Sequence, residues 1–167
     1  TYSSVLSGVS ATQIASETTK TVDLDGTDVT FTLAETSTSG TWDLTTQAVS
    51  DQSGQVVHIE NTSINDATIT NNGTMWSTEN NAIEMDGTDI TGTANITNTS
   101  TGTIESDSTH KDEAAIKIQD TKGTININNS GIITSKAQGI LNSGSTLADL
   151  TNSGTLETTG EWSTSLD

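Results

Sequence analysis

The sequence predicts an all-β chain: a parallel β-solenoid of about five coils, preceded by a non-repeat N-terminal segment. Three observations predict it. A short phrase, apolar–x–Asn–x–Gly–x–apolar, recurs along the chain. The apolar residues fall in brief period-two bursts rich in Ile, Val and Leu, and no stretch sustains a helical period. The chain also holds no Pro and no Cys, while Thr, Ser, Asn and Gly are abundant. Self-similarity at a period of roughly 20–50 residues marks a solenoid or array. β-branched side chains fit a pleated surface, so the bursts read as short strands.

In chain order, residues 1–21 match no repeat. Tyr2, Val5, Leu6 and Val9 stand there among Ser, Thr and Ala. They read as a cap over the first coil or as an arm that docks on another subunit. The repeats span 22–160. The first unit starts near Val22, because Val22-Asp23-Leu24-Asp25-Gly26-Thr27-Asp28-Val29-Thr30 parallels Ile83-Glu84-Met85-Asp86-Gly87-Thr88-Asp89-Ile90-Thr91 position for position. Asp-Gly between alternating apolar residues is a turn signal. A tail, 161–167, carries Trp162 and Leu166.

The phrase itself stands at Ile69-Asn71-Gly73-Met75, Ile127-Asn129-Gly131-Ile133 and Leu150-Asn152-Gly154-Leu156. A copy at Ile96-Asn98 reaches Gly102-Ile104 through two extra residues, and Leu33, Gly40 and Trp42 keep the ends of a fifth. The glycines at 40, 73, 102, 131 and 154 are separated by 33, 29, 29 and 23 residues. Loop insertions on a coil of on the order of 20–30 residues produce such spread. A second apolar group lies upstream of each copy, at Val57/Ile59, Ile83/Met85, Ile116/Ile118 and Ile140. Each unit therefore reads as strand, polar turn, strand and loop. Ile69, Ile96, Ile127 and Leu150 are expected to form one inward column, and Met75, Ile104, Ile133 and Leu156 another. At 29% hydrophobic and 3% aromatic the chain is lean. Stacked coils nevertheless share one continuous core.

The Asn of the phrase follows an inward apolar residue by two positions. It either points inward and ladders with the Asn above and below, since an amide both donates and accepts, or serves as a turn residue that tolerates left-handed φ. The Gly is expected to supply the unusual φ of the bend.

The phrases Ile69–Met75, Ile125–Ile133 and Leu150–Leu156 resemble the coils of bacterial autotransporter passenger domains and related secreted adhesins. The resemblance covers residues 22–160. It implies a right-handed parallel β-helix on the cell surface. The chain departs from those proteins in its shortness and in having nothing like their membrane-embedded barrel. It reads as a processed fragment or a stand-alone subunit. Thr1 in place of Met reads as a mature end left by signal-peptide removal, which points to an extracellular or cell-surface location.

The formal net charge of −17 disfavours nucleic acid and anionic membrane as partners. No apolar run is long enough to span a bilayer as a helix. Four of the five Lys, at 111, 117, 122 and 136, gather in the third and fourth units, either as a contact patch or as solvated offsets to local carboxylates. Asp23, Asp25, Asp28 and Glu84, Asp86, Asp89 supply hard oxygen around a Gly and are the calcium candidates. Their spacing fits neither an EF-hand nor the glycine-rich calcium nonapeptide, so no cofactor is expected. Five matches to the N-glycosylation pattern, at Asn61, Asn72, Asn95, Asn98 and Asn128, read as composition. His58 alternates with inward Val57 and Ile59, and His110 lies in an acidic loop. Cleavage of acidic polysaccharide would call for a basic proton abstractor, and the chain holds no Arg while its acidic surface would repel a polyuronate. With 22 acids no carboxylate pair stands out for glycoside hydrolysis. The chain is read as non-catalytic.

A solenoid has two open ends with unpaired strand edges. The expected function is a secreted structural protein that stacks end to end with itself, head to tail, into a filament, fibre or surface matrix. Tyr2, Val5, Leu6, Val9, Trp162 and Leu166 are its candidate interface residues. The alternative is an adhesin-like module that binds glycans or a host protein through its loops. A polysaccharide-acting enzyme ranks third.

Overall fold

The computed structural model describes residues 19–24, 27–35, 42–46, 49–52, 55–61, 63–64, 67–160 and 164–166, with side chains for 55–61 and 69–160. Among these residues every regular element is a strand. The chain opens with β1 (Thr19–Leu24) and β2 (Thr27–Glu35). Five rows of three strands follow. The first row is β3 (Trp42–Thr46), β4 (Val49–Gln52) and β5 (Val57–Glu60). A two-residue strand, β6 (Ser63–Ile64), leads to β7 (Ala67–Asn71), β8 (Thr74–Ser77) and β9 (Ile83–Asp86). The third row is β10 (Asp89–Asn98), β11 (Thr103–Ser106) and β12 (Ala114–Gln119). The fourth is β13 (Lys122–Asn129), β14 (Ile132–Ser135) and β15 (Gln138–Ser143), and the fifth is β16 (Leu147–Asn152), β17 (Thr155–Thr158) and β18 (Thr164–Leu166).

Strands of the same place in each row pair in parallel, giving three faces: β3-β7-β10-β13-β16, β4-β8-β11-β14-β17 and β5-β9-β12-β15-β18. This is a parallel β-solenoid. It makes about four turns from β3 to β16, with the fifth row lying on the fourth. A rung thus carries three strands, where the repeat suggested two. The third is the segment holding Val57/Ile59 and its counterparts, on a face of its own.

Register sets the core. Leu44, Ile69, Ile96, Ile127 and Leu150 are successive Cα partners on the first face. Val49, Met75, Ile104, Ile133 and Leu156 align on the second. Val57, Ile83, Ile116 and Ile140 align on the third. Ile69, Met75, Ile96, Ile104, Ile127 and Ile133 are buried within one cluster, and Leu147, Leu150 and Leu156 pack half-buried at its end.

The segment at Val22 differs from its counterpart at Ile83. Ile83–Asp86 and Asp89–Asn98 turn a corner between two parallel faces. Residues 19–24 and 27–35 instead fold back as an antiparallel hairpin, with Val22 opposite Val29 and Asp23 opposite Asp28. β2 then pairs antiparallel with β3. The difference lies in what surrounds the turn. At Gly87 the backbone N–H donates to the Gln119 carbonyl of the following rung. Ahead of β3, β2 covers its outer edge and β1 is the outermost strand of the first face.

Candidate functional site

The three corners of the coil use three side-chain devices. Between the first and second faces sits the repeated Asn. Asn71 Nδ2 donates to Asn98 Oδ1 at 2.9 Å, Asn98 Nδ2 to Asn129 Oδ1 at 2.8 Å, and Asn129 Nδ2 to Asn152 Oδ1 at 2.8 Å. Asn71, Asn98 and Asn129 are buried. Each nitrogen also reaches the carbonyl just beyond the next row's glycine: Thr103 at 3.0 Å, Ile132 at 3.0 Å and Thr155 at 2.9 Å. The Asn71 and Asn129 oxygens accept from the backbone N–H of Gly73 and Gly131. Of the two readings of this Asn, the inward ladder is the one the structure holds.

The glycine's role is corrected. Left-handed φ occurs at Gly87, Gly123 and Gly144, not at Gly73, Gly102, Gly131 or Gly154. The reason for glycine in the phrase is close approach. A Cβ on Gly102 would strike the Asn71 carbonyl, one on Gly131 the carbonyls of Gly102 and Thr99, and one on Gly154 the carbonyl of Gly131.

Between the second and third faces a serine column replaces apolar packing. Ser77, Ser106 and Ser135 are buried register partners. Ser77 Oγ accepts from Asn80 N–H, Ser106 Oγ donates to the Asn80 carbonyl at 2.6 Å, and Ser135 Oγ accepts from Ala137 N–H. The third corner holds Asn61, Gly87, Asp120 and Gly144, all at positive φ. Residues with and without a side chain alternate there, because a Cβ on Gly87 would lie 2.9 Å from Asn61 Oδ1, and one on Gly144 would meet Asp120 Oδ1. Neither column was picked out of the sequence. Its only trace was a Ser two residues beyond Met75, Ile104 and Ile133, and an Asn, Gly or Asp closing each third-face strand.

The ladder opens at one end of the molecule. Asn152 accepts from Asn129 and is exposed, and no protein acceptor takes its Nδ2 among the described residues. Around it β16, β17 and β18 are the outermost strands of their faces, with half-buried Leu147, Leu150 and Leu156 behind them. At the other end Thr46 is level with Asn71, and β2 covers β3.

The remaining candidates disperse. Glu84 is buried and receives Gln55 Nε2 at 2.7 Å and Asn81 Nδ2 at 2.9 Å. Asp86 ends β9, and Asp89 is exposed at the start of β10. Asp23 and Asp28 lie in the hairpin, with side chains outside the described set, and Asp25 lies outside the described residues. Among the described residues no three His, Cys, Asp or Glu converge as a metal site. His58 Nε2 lies 3.6 Å from Glu60. His110 is exposed in the longest described loop, 107–113, beside Asp112. Lys111 pairs with Asp112 at 2.8 Å and Lys136 with Asp107 at 3.0 Å; Asp107 also receives Trp76 Nε1. Burial raises the Glu113 carboxyl, with Lys117 opposing it. Burial, then Glu84 and Asp120, raise Asp86. Burial, then Asp107, raise Glu105, while the Lys111 hydrogen bond lowers Asp112. Of the interface candidates, Tyr2, Val5, Leu6, Val9 and Trp162 lie outside the described residues, and Leu166 pairs with Ile140 in β18.

No protein-family model, curated protein or solved structure matches the chain.

Proposed function

We propose that the protein is structural: a β-solenoid element of an extracellular filament, fibre or surface matrix, in which solenoids stack end to end through the edge made by β16, β17 and β18. The observation that carries this reading is that edge. Three strands present outer backbone groups on one end of the rod, over Leu147, Leu150 and Leu156, which the core only half covers. Such an edge pairs with added strands, and apolar burial strengthens the joint. The two ends are unlike, because β2 occupies the edge of β3. Stacking is therefore directional. β1 runs in the same sense as β3, so a head-to-tail neighbour would meet a parallel strand there.

Size-exclusion chromatography with light scattering, followed by electron microscopy, tests the reading. The protein is expected to form oligomers or threads as concentration rises, and Leu150→Lys with Leu156→Lys is expected to return it to monomer. A protein that stays monomeric throughout, with or without those changes, would overturn end stacking. The adhesin-like reading would then take its place.

A further inference from the structure

We infer, building on the end-stacking reading, that β16 docks most tightly a solenoid rung carrying its own Asn level with Asn152 and a Gly just beyond it, and a copy of this chain's own first strand less tightly. The edge is selective, and two features of its stereochemistry set the selection.

The first is the direction of the ladder. Every amide nitrogen gives its hydrogens towards the following row, to the next Asn Oδ1 and to the carbonyl after the next glycine. Asn152 stands as the last of these donors, with neither acceptor above it among the described residues. A docking strand that brings an apolar residue to this position cannot repeat the pair of bonds, and one that brings a hydroxyl can accept but offers no two-hydrogen amide to carry the ladder on. One that brings Asn both accepts from Asn152 and offers a new donor.

The second is steric. The glycine of each stacked row has no room for a Cβ, because carbonyls of the preceding row fill that space at Gly131 and Gly154, and Asn98 Oδ1 with the Asn71 carbonyl fills it at Gly102. The Gly154 carbonyl belongs to the same corner of the last row, so the incoming strand is held to glycine where it crosses it. Together the two demands spell the phrase Asn–x–Gly, or its longer form with two extra residues.

The chain's opposite end does not meet them. The outermost strand of the first face there is β1, Thr19–Leu24, which carries neither Asn nor Gly, and the first 60 residues contain no Asn. A second copy meeting β16 head to tail brings β1, which offers main-chain pairing without a ladder Asn, a weaker joint. The better-matched partner is an Asn- and Gly-bearing rung presented from its acceptor side.

The test is a full chain extended after Asp167 by a second copy of residues 120–143, compared with the same extension carrying N129T in the appended copy. Nuclear magnetic resonance reads hydrogen exchange at two places: the backbone amides of β16, which report docking, and the Asn152 side-chain amide, which reports the ladder. The expected result is that both extensions protect the β16 backbone, while only the Asn-bearing one slows exchange of the Asn152 amide, by about tenfold, the scale of one net hydrogen bond. If both extensions dock and Asn152 exchanges alike in each, the selectivity is overturned and end stacking survives. If neither extension protects the backbone, while the parent coils keep their spectrum, end stacking itself fails.

Discussion

Asn98 donates to Asn129 and accepts from Asn71 inside the molecule, whereas Asn152 is exposed and, among the described residues, only accepts. The two positions have the same residue and the same place in the phrase, yet their loss should differ. Asn98→Ala removes the bonds to Asn71, Asn129 and the Ile132 carbonyl, while Asn71 keeps the Thr103 carbonyl and Asn129 keeps the Gly131 N–H, and should cost about 2–4 kcal/mol at about 1 kcal/mol net for each bond lost. Asn152→Ala should cost within about 1 kcal/mol, because water replaces what is lost. Urea unfolding followed by circular dichroism measures both; equal losses would mean the ladder is incidental to stability. The Asn was legible in the sequence because it recurs two residues after an inward apolar position. The role of the glycine beside it was not. Left-handed φ and close approach both select Gly, and only the distance to a neighbouring carbonyl separates them.

At the scale of the element, a strand of four or five residues contributes two or three inward side chains, and the rows above and below complete its packing. Ile127 is flanked in register by Ile96 and Leu150 and is buried. Ile127→Ala should cost about 2–5 kcal/mol, as for other buried aliphatics, read by the same unfolding measurement. The corner at Gly87 is a separate case. Gly87→Ala places a methyl 2.9 Å from Asn61 Oδ1 at φ +57°. It should cost about 1–2 kcal/mol from the backbone alone, with a further share from the contact. Asn61→Gly in the same chain should recover that share, and a double-mutant cycle isolates it. Parallel pairing of the first and second faces could be read from the repeat, because Ile69, Ile96 and Ile127 fall at equal places in their units. The hairpin could not. Strands 19–24 and 27–35 match 83–91 in sequence over 22–30 and diverge in fold, because pairing with neighbouring rows decides between a corner and a hairpin.

For the whole molecule the excess of acid sets the response to pH. Asp86, Glu105 and Glu113 all have folded-state values raised, chiefly by burial. A raised carboxyl binds its proton more tightly folded than unfolded. The penalty is therefore full above the folded value and disappears below the unfolded one. Asp112 shifts the other way but is fully exposed, so it counts for little. Stability should rise as pH is lowered from 7 towards the ordinary carboxylate range, and salt should act in the same direction at pH 7 by screening a net charge of −17. Thermal melts at pH 7 and pH 5, each with and without added salt, check this. A melting temperature that falls on mild acidification would show that favourable carboxylate contacts outweigh the burial terms. The open end of the ladder belongs to this scale too. Asn152 repeats the phrase of the inner rows, and it is marked out by the three faces, which finish on the same row among the described residues.

The strands lie across the long axis and their hydrogen bonds run along it, on three faces at once. Pulling the ends apart therefore loads one row of bonds at a time, as a zipper is loaded, and does not share the force among rows. Under a steady pull the molecule should give way in discrete releases. Each release frees one coil of 23–29 residues between the glycines at 73, 102, 131 and 154, or roughly 80–100 Å of slack at about 3.3–3.6 Å per residue. A single-molecule stretching trace with teeth of that spacing, beginning from the β16 end, would make this solenoid a length-releasing tether whose grip fails in instalments.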